Sequence, residues 1–120
     1  MSISIDDFKK VEITVGKILA AEKIPDTDKL LKLSVDFGIK PALDKITSSE
    51  PDVRQIVSGI APHFPDPQVL VGKKCMFVTN LDPRMIRGHE SNGMLFAVST
   101  DNAFSLLEPS QEIPTGTRAR

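Results

Sequence analysis

The sequence predicts an all-β domain, a closed or partly open barrel of short strands. Three observations predict it. Short apolar runs alternate with polar residues between clusters of Pro, Gly, Asp and Asn. No apolar-periodic stretch is long enough for a standard helix. One strand changes phase at a glycine, as barrel strands must when they bend. With 120 residues and 40% hydrophobic content, the chain suits one domain, 1–120, with one core.

Ser4-Ile5-Asp6-Asp7 is a loose capping box, so a helical turn is expected from Ile5 to about Lys10. Val11, Ile13 and Val15 then alternate with Glu12 and Thr14. At Gly16 the phase slips and Ile18 and Ala20 become the inward candidates, which places a β-bulge at Gly16. Pro25-Asp26-Thr27-Asp28 is a turn cluster. Leu31, Leu33, Val35 and Phe37 face one way and Lys32, Ser34 and Asp36 the other, a strand with one buried side. Gly38 to Asp52 lacks periodicity and reads as a loop of about 15 residues, long for a small domain.

An extended pattern resumes from Arg54 to Ile60 and is broken by Pro62, Pro65 and Pro67; Asp66-Pro67 fits the cap and first position of a helical turn ending near Gly72. Lys73 to Asn80 is apolar on both faces and is expected to be a central strand, with Cys75 and Phe77 on one side. Leu81 to Gly93 reads as a loop, Met94 to Val98 as a strand, Asp101-Asn102 as a turn and Phe104 to Leu107 as a last strand. Phe37, Phe77 and Phe96 read as packing residues inside strands. The tail, with Pro114 and Gly116, is more turn than element.

The sequence supports no catalytic centre, metal site or cofactor. Gly72-Lys73-Lys74 lacks both the upstream glycine and the following Ser/Thr of a phosphate loop. GxSxG, HExxH and CxxC are absent, and His63 and His89 fall in different loops without a spaced partner. Cys75 sits mid-strand and reads as a small buried hydrophobe. A lone cysteine, no basic and apolar leader and no apolar run approaching roughly 20 residues point to a cytoplasmic protein with no membrane segment. The net charge is −1, so a nucleic-acid partner has to be met by a local patch.

Three constellations are candidates for such a patch. Lys29 and Lys32 open a strand and its preceding turn, where a barrel rim could meet phosphates; the pattern alone fits a solvated face with two solubilising lysines better. Arg54 can take phosphate bidentately and Gly59 lets a backbone approach, though the stretch also fits a charged strand edge with a bend. The segment from Asn80 to Met94 gathers Arg84, Arg87, His89, Ser91 and Asn92 between glycines, either an anion-binding loop or an ordinary polar connection. From Arg54 to Thr100 there are five Lys/Arg against three Asp/Glu, whereas Asp101 to Thr117 has three acids and no base. With no Trp or Tyr to offer stacking platforms, an RNA partner would be a folded one read by shape and backbone.

In this order, five segments resemble the tRNA-binding domain found at the C-terminus of many bacterial methionyl-tRNA synthetases and as free-standing tRNA-binding proteins. They are Asp7 to Ile13 with Val15-Gly16; Asp28 to Leu31; Arg54 to Ile60; Asn80-Leu81 with Pro83-Arg84; and Gly88 with Ser91, Gly93 and Met94. The resemblance runs from about Ser4 to the end of the chain. It implies an OB-fold, a five-stranded Greek-key barrel with short helical turns at the N-terminus and between strands. It also implies a homodimer and a non-catalytic role, binding tRNA with little sequence preference and delivering it to methionyl-tRNA synthetase. By matched position, Lys29, Arg54, Asn80, Arg84, Ser91 and Met94 inherit the tRNA-binding role; Lys32 and Arg87 join them on charge. Thr14 and Met85 stand where the family often has basic residues, and the 38–52 segment is longer than usual. A related branch of the fold is a secretion-chaperone-like dimer that binds unfolded peptides, and the near-neutral charge keeps it as the alternative.

Overall fold

The computed structural model describes residues 1–39 and 50–120. A short helix, α1 (Ile5–Phe8), is followed by β1 (Ile13–Lys23), β2 (Leu31–Ile39), β3 (Pro51–Ser58) and β4 (Lys74–Val78). Then come β5 (Arg84–Ile86), β6 (His89–Ser91), β7 (Met94–Leu95), β8 (Ala97–Ser99) and β9 (Phe104–Leu106). Two 3-10 turns, Ala61–His63 and Pro67–Leu70, join β3 to β4. The main sheet is a curled, antiparallel, five-stranded half-barrel in the order β3-β2-β1-β4-β7, an all-β, OB-like architecture.

Local chemistry starts and stops these elements. Ser4 Oγ accepts from Asp7 N–H at 3.0 Å and caps α1. Asp66 Oδ1 accepts from Gln68 N–H at 3.1 Å ahead of Pro67, so the expected cap and first position are both present. Along β2 the alternation holds: Leu31, Leu33, Val35 and Phe37 are buried while Lys32, Ser34 and Asp36 are half-exposed. β4 is central, between β1 and β7. Phe37 and Phe77 meet edge to face at 5.3 Å in a core shared with Ile18, Ile56, Leu70 and Cys75.

Long β1 serves two partners. Ile13 to Lys17 pair with β4, and Lys17 to Lys23 pair with β2. The register shift lies between Ile18 and Ala20, not at Gly16. Consequently Ala21 is buried and Ala20 exposed, the reverse of the predicted phase. Gly16 answers to space instead. A Cβ there would lie 2.6 Å from both the Phe37 ring and Val35 Cγ1. The bare backbone lets the Phe37 ring lie directly against β1.

Four other expectations change. Val11 precedes β1 and is exposed. Leu81 to Gly93 is not a plain loop, because β5 and β6 form a hairpin across Arg87-Gly88, both at positive φ (52° and 81°). Met94 to Val98 is two strands, since Phe96 donates to Met76 O at 3.0 Å and the chain then turns to pair with β9. Phe96 is half-buried, and Phe64 and Phe104 join the core margin instead. Of the expected loop, Gly38 and Ile39 belong to β2, Pro51 and Asp52 to β3, and 40–49 lie outside the described residues.

Burial pushes the Cys75 thiol up to about 11, with Glu108 adding to the shift. The neutral thiol is unreactive in the folded barrel, so a thiol-directed reagent at pH 8 should label it only at the rate of opening and rapidly in 6–8 M urea (about that range is enough to unfold small domains). Gly16→Ala should lower stability by about 1–3 kcal/mol in urea melts through overpacking. Gly59→Ala, where a Cβ would meet nothing within 4 Å, should stay within about 1 kcal/mol of the parent.

Candidate functional site

Three of the candidate residues, Lys32, Ser91 and Arg84, lie along one seam of the barrel. β3 has β2 on one side and meets the β5–β6 hairpin on the other. No regular ladder joins them; side chains and single backbone bonds do. Ser91 Oγ accepts from Val57 N–H at 3.0 Å and donates to Gly93 O at 3.2 Å. Asn92 N–H donates to Gln55 O at 2.9 Å, and Gln55 Nε2 donates to Glu90 O at 2.9 Å. Lys32 is opposite Val57 across β2–β3, and Ser91 is opposite Arg84 across β5–β6. Lys32, Val57, Ser91 and Arg84 therefore follow one another from strand to strand, at roughly 5 Å per step.

Arg54 stands at the open end of the barrel. Its guanidinium makes two bonds to the Asp52 carboxylate, from Nε at 2.9 Å and Nη2 at 3.1 Å. Nη1 donates to Thr79 O at 2.6 Å and Asn92 O at 3.5 Å, and Cζ sits 5.3 Å over the Phe37 ring. A half-buried fork so fully engaged joins β3 to the end of β4 and to the residue after β6. Around it opens a polar cavity of about 450 Å³, lined among others by Glu12, Thr14, Thr79 and Arg118. Asn80 is engaged too. Its Oδ1 accepts from Glu12 N–H at 2.8 Å and its Nδ2 donates to Lys10 O, which ties the N-terminal segment to the end of β4.

The eight candidates thus fall into two sets. Arg54, Asn80 and Ser91 spend their polar groups on bonds within the chain, Asn80 at the surface and the other two half-buried or buried. Lys29, Arg84, Arg87 and Met94 are exposed, and among the described residues the three cations have no ion-pair partner. Lys32 lies between the sets, half-buried and 2.8 Å from the Glu22 carboxylate. That contact, with Lys32's charge and a smaller contribution from His89, holds the Glu22 carboxyl below its ordinary range. Gln55, Asp52 and Glu22 were not marked by the sequence reading. Their partners are set by strand register, which no local pattern displays. Among the described residues, no group of three or more His, Cys, Asp or Glu could hold a metal ion, and no helix is long and apolar enough to cross a membrane.

Comparison with known proteins adds the family. Residues 13–118 match the family described as "Putative tRNA binding domain". A methionine–tRNA ligase of Methanospirillum hungatei is 50% identical over 118 residues, 98% of this chain; the chain spans 16% of that protein's length. A MetRS-related protein from Pyrococcus horikoshii superimposes with a TM-score of 0.83 at 39% identity, covering 100% of this chain and 99% of its own. The chaperone CsaA of Bacillus anthracis superimposes with a TM-score of 0.79 at 24% identity over 100% of both chains, a likeness of fold.

Ser91→Ala leaves the Val57 N–H buried without its acceptor and should cost about 1–3 kcal/mol in urea melts. Arg84→Ala, on the exposed partner of the same register pair, should cost no more than about 0.5 kcal/mol.

Proposed function

The chain belongs to the tRNA-binding domain family, and on that premise we propose that it is a non-catalytic module holding folded tRNA by backbone and shape, working with methionyl-tRNA synthetase in the cytoplasm. The observation that carries this reading is the β5–β6 hairpin. It projects Arg84 and Arg87 with no acidic partner among the described residues, while Ser91, Asn92 and Gln55 fix its seat on the barrel. Lys29 adds a third free cation at the head of β2. Ser91, Arg54 and Asn80 serve by holding that surface in place, and Met94 adds an apolar contact beside it. Partnership with a synthetase is supported by relatives that are methionine–tRNA ligases, of which this chain matches a minor part.

A second copy of the chain is proposed to cover the N-terminal arm. Ile3, Ile5, Phe8 and Val11 are 68%, 66%, 47% and 43% exposed along one short stretch, with Leu81 beside the Asn80 clamp at 46%. Apolar side chains so concentrated call for a cover. The arm is tied to the barrel at its base, by the Asn80 bonds and by Thr79 and Arg118 donating to Glu12, while its apolar side chains stay exposed.

Filter retention of tRNA across a salt series tests the reading. Phosphate contacts by Lys29, Arg84 and Arg87 contribute about −2 to −3 to the log–log slope, and Arg84→Ala with Arg87→Ala should make it shallower by about 1–2. Absence of retention at low salt, together with protection of an unfolded client from aggregation, would replace this reading with the chaperone-like one. Glu22→Gln, which releases Lys32, should tighten retention and steepen the slope by up to about 0.9. Phe8→Glu should convert a sedimenting dimer to monomer at micromolar concentration; a parent protein already monomeric there would remove the dimer.

A further inference from the structure

Stacking is the one RNA-binding mode for which the sequence offers no Trp or Tyr, yet the structure builds an aromatic face from His63 and Phe104. Their rings lie parallel, 10° apart, with centroids at 4.0 Å. Phe104 meets Phe64 edge-on at 5.8 Å, and both phenylalanines pack against the core. His63 itself is exposed. Phe104 covers one face of the imidazole.

The platform is held before any ligand arrives. His63 N–H donates to Ile60 O at 3.0 Å and Phe64 N–H to Ala61 O at 3.1 Å, within a 3-10 turn. Pro62 and Pro65 fix φ on either side. Little freedom is left to lose on binding, which is what makes an aromatic contact productive. Cations stand close by. Ala61 N–H donates to Lys29 O at 2.9 Å, so Lys29 is anchored two residues from His63. A groove of about 380 Å³ runs beside the turn, lined by Lys23, Thr27, Asp28, Pro62 and Pro65 among others. Lys23 and Lys29 are exposed and make no ion pair among the described residues.

We propose that His63, backed by Phe104, is a stacking platform for one unstacked nucleobase of the bound RNA, with Lys23 and Lys29 meeting the phosphates on either side of that base. The inference deepens the tRNA-binding reading and rests on it for the identity of the RNA. Every base has a π-face, so such a contact adds affinity without reading sequence. It also differs in kind from the arginine hairpin. Stacking displaces no counterions, so its contribution is independent of salt, whereas each phosphate contact changes the salt slope.

Two measurements test this. In tRNA retention across salt, His63→Ala should weaken binding about tenfold at every salt concentration with the slope unchanged, and His63→Phe should restore it. Lys29→Ala should instead make the slope shallower by about 0.7–0.9. In the second, a short RNA hairpin bearing one unpaired 2-aminopurine is titrated with each protein. The parent and His63→Phe should quench its fluorescence, and His63→Ala should not. Equal quenching by His63→Ala, no quenching by the parent, or tRNA affinity indifferent to His63→Ala each overturns the platform. Quenching that depends on His63 while tRNA is not retained keeps the platform and removes tRNA as the partner.

Discussion

The five-stranded sheet ends at β3 on one side and β7 on the other, and the β5–β6 hairpin, just ahead of β7, is fastened to β3 by a hydroxyl and two flanking bonds. Ser91 accepts the Val57 N–H and donates onward to Gly93 O, with Asn92 and Gln55 adding a bond on each side. Closing by side chains instead of a ladder has a consequence for geometry. A ladder would force the hairpin into the plane of the sheet; point contacts let it lean outward and still be fixed. Arg54 performs the same service at the barrel mouth, binding Thr79 O and Asn92 O while Asp52 neutralises it.

Near-neutral net charge is less limiting than it first looks. Among the described residues, six cations are spent on ion pairs: Lys10, Lys32, Arg54, Lys73, Lys74 and Arg118. Their acidic partners cancel them locally, and most are exposed pairs that add little stability. Among the described residues seven cations have no acidic partner: Lys9, Lys17, Lys23, Lys29, Arg84, Arg87 and Arg120. Lys29 stands at the head of β2 and Arg84 and Arg87 on the hairpin, and the cross-strand sequence through Lys32, Val57 and Ser91 links them. Local arrangement, not total charge, sets the field an RNA backbone would meet.

How much of this the sequence displayed depended on whether a feature is local. The β2 alternation, the Ser4 and Asp66 caps and the central position of β4 are written in neighbouring residues, and each appears where expected. The bulge was displaced from Gly16 to the step after Ile18 because a glycine suggests either a kink or a close approach, and only the Phe37 ring decides between them. The β5–β6 hairpin was hidden by its turn, since Arg-Gly is not among the pairs that signal a two-residue turn. Of the candidate site, exposed Lys29, Arg84 and Arg87 were legible as charge. The internal commitments of Arg54, Asn80 and Ser91 were not, because Thr79 O, Lys10 O and Val57 N–H are 25, 70 and 34 residues away in sequence.

Arg87 occupies the left-handed region at φ 52°, a conformation that costs an L-residue about 1–2 kcal/mol relative to glycine. Asparagine or glycine would relax the turn and keep the hairpin. Either would also delete the charge at its tip. If the tip meets a polyanion as proposed, folding and binding favour different residues at this one position: the residue that relaxes the turn removes the charge. A relative with a relaxed turn here would fold more firmly and hold a polyanion less well.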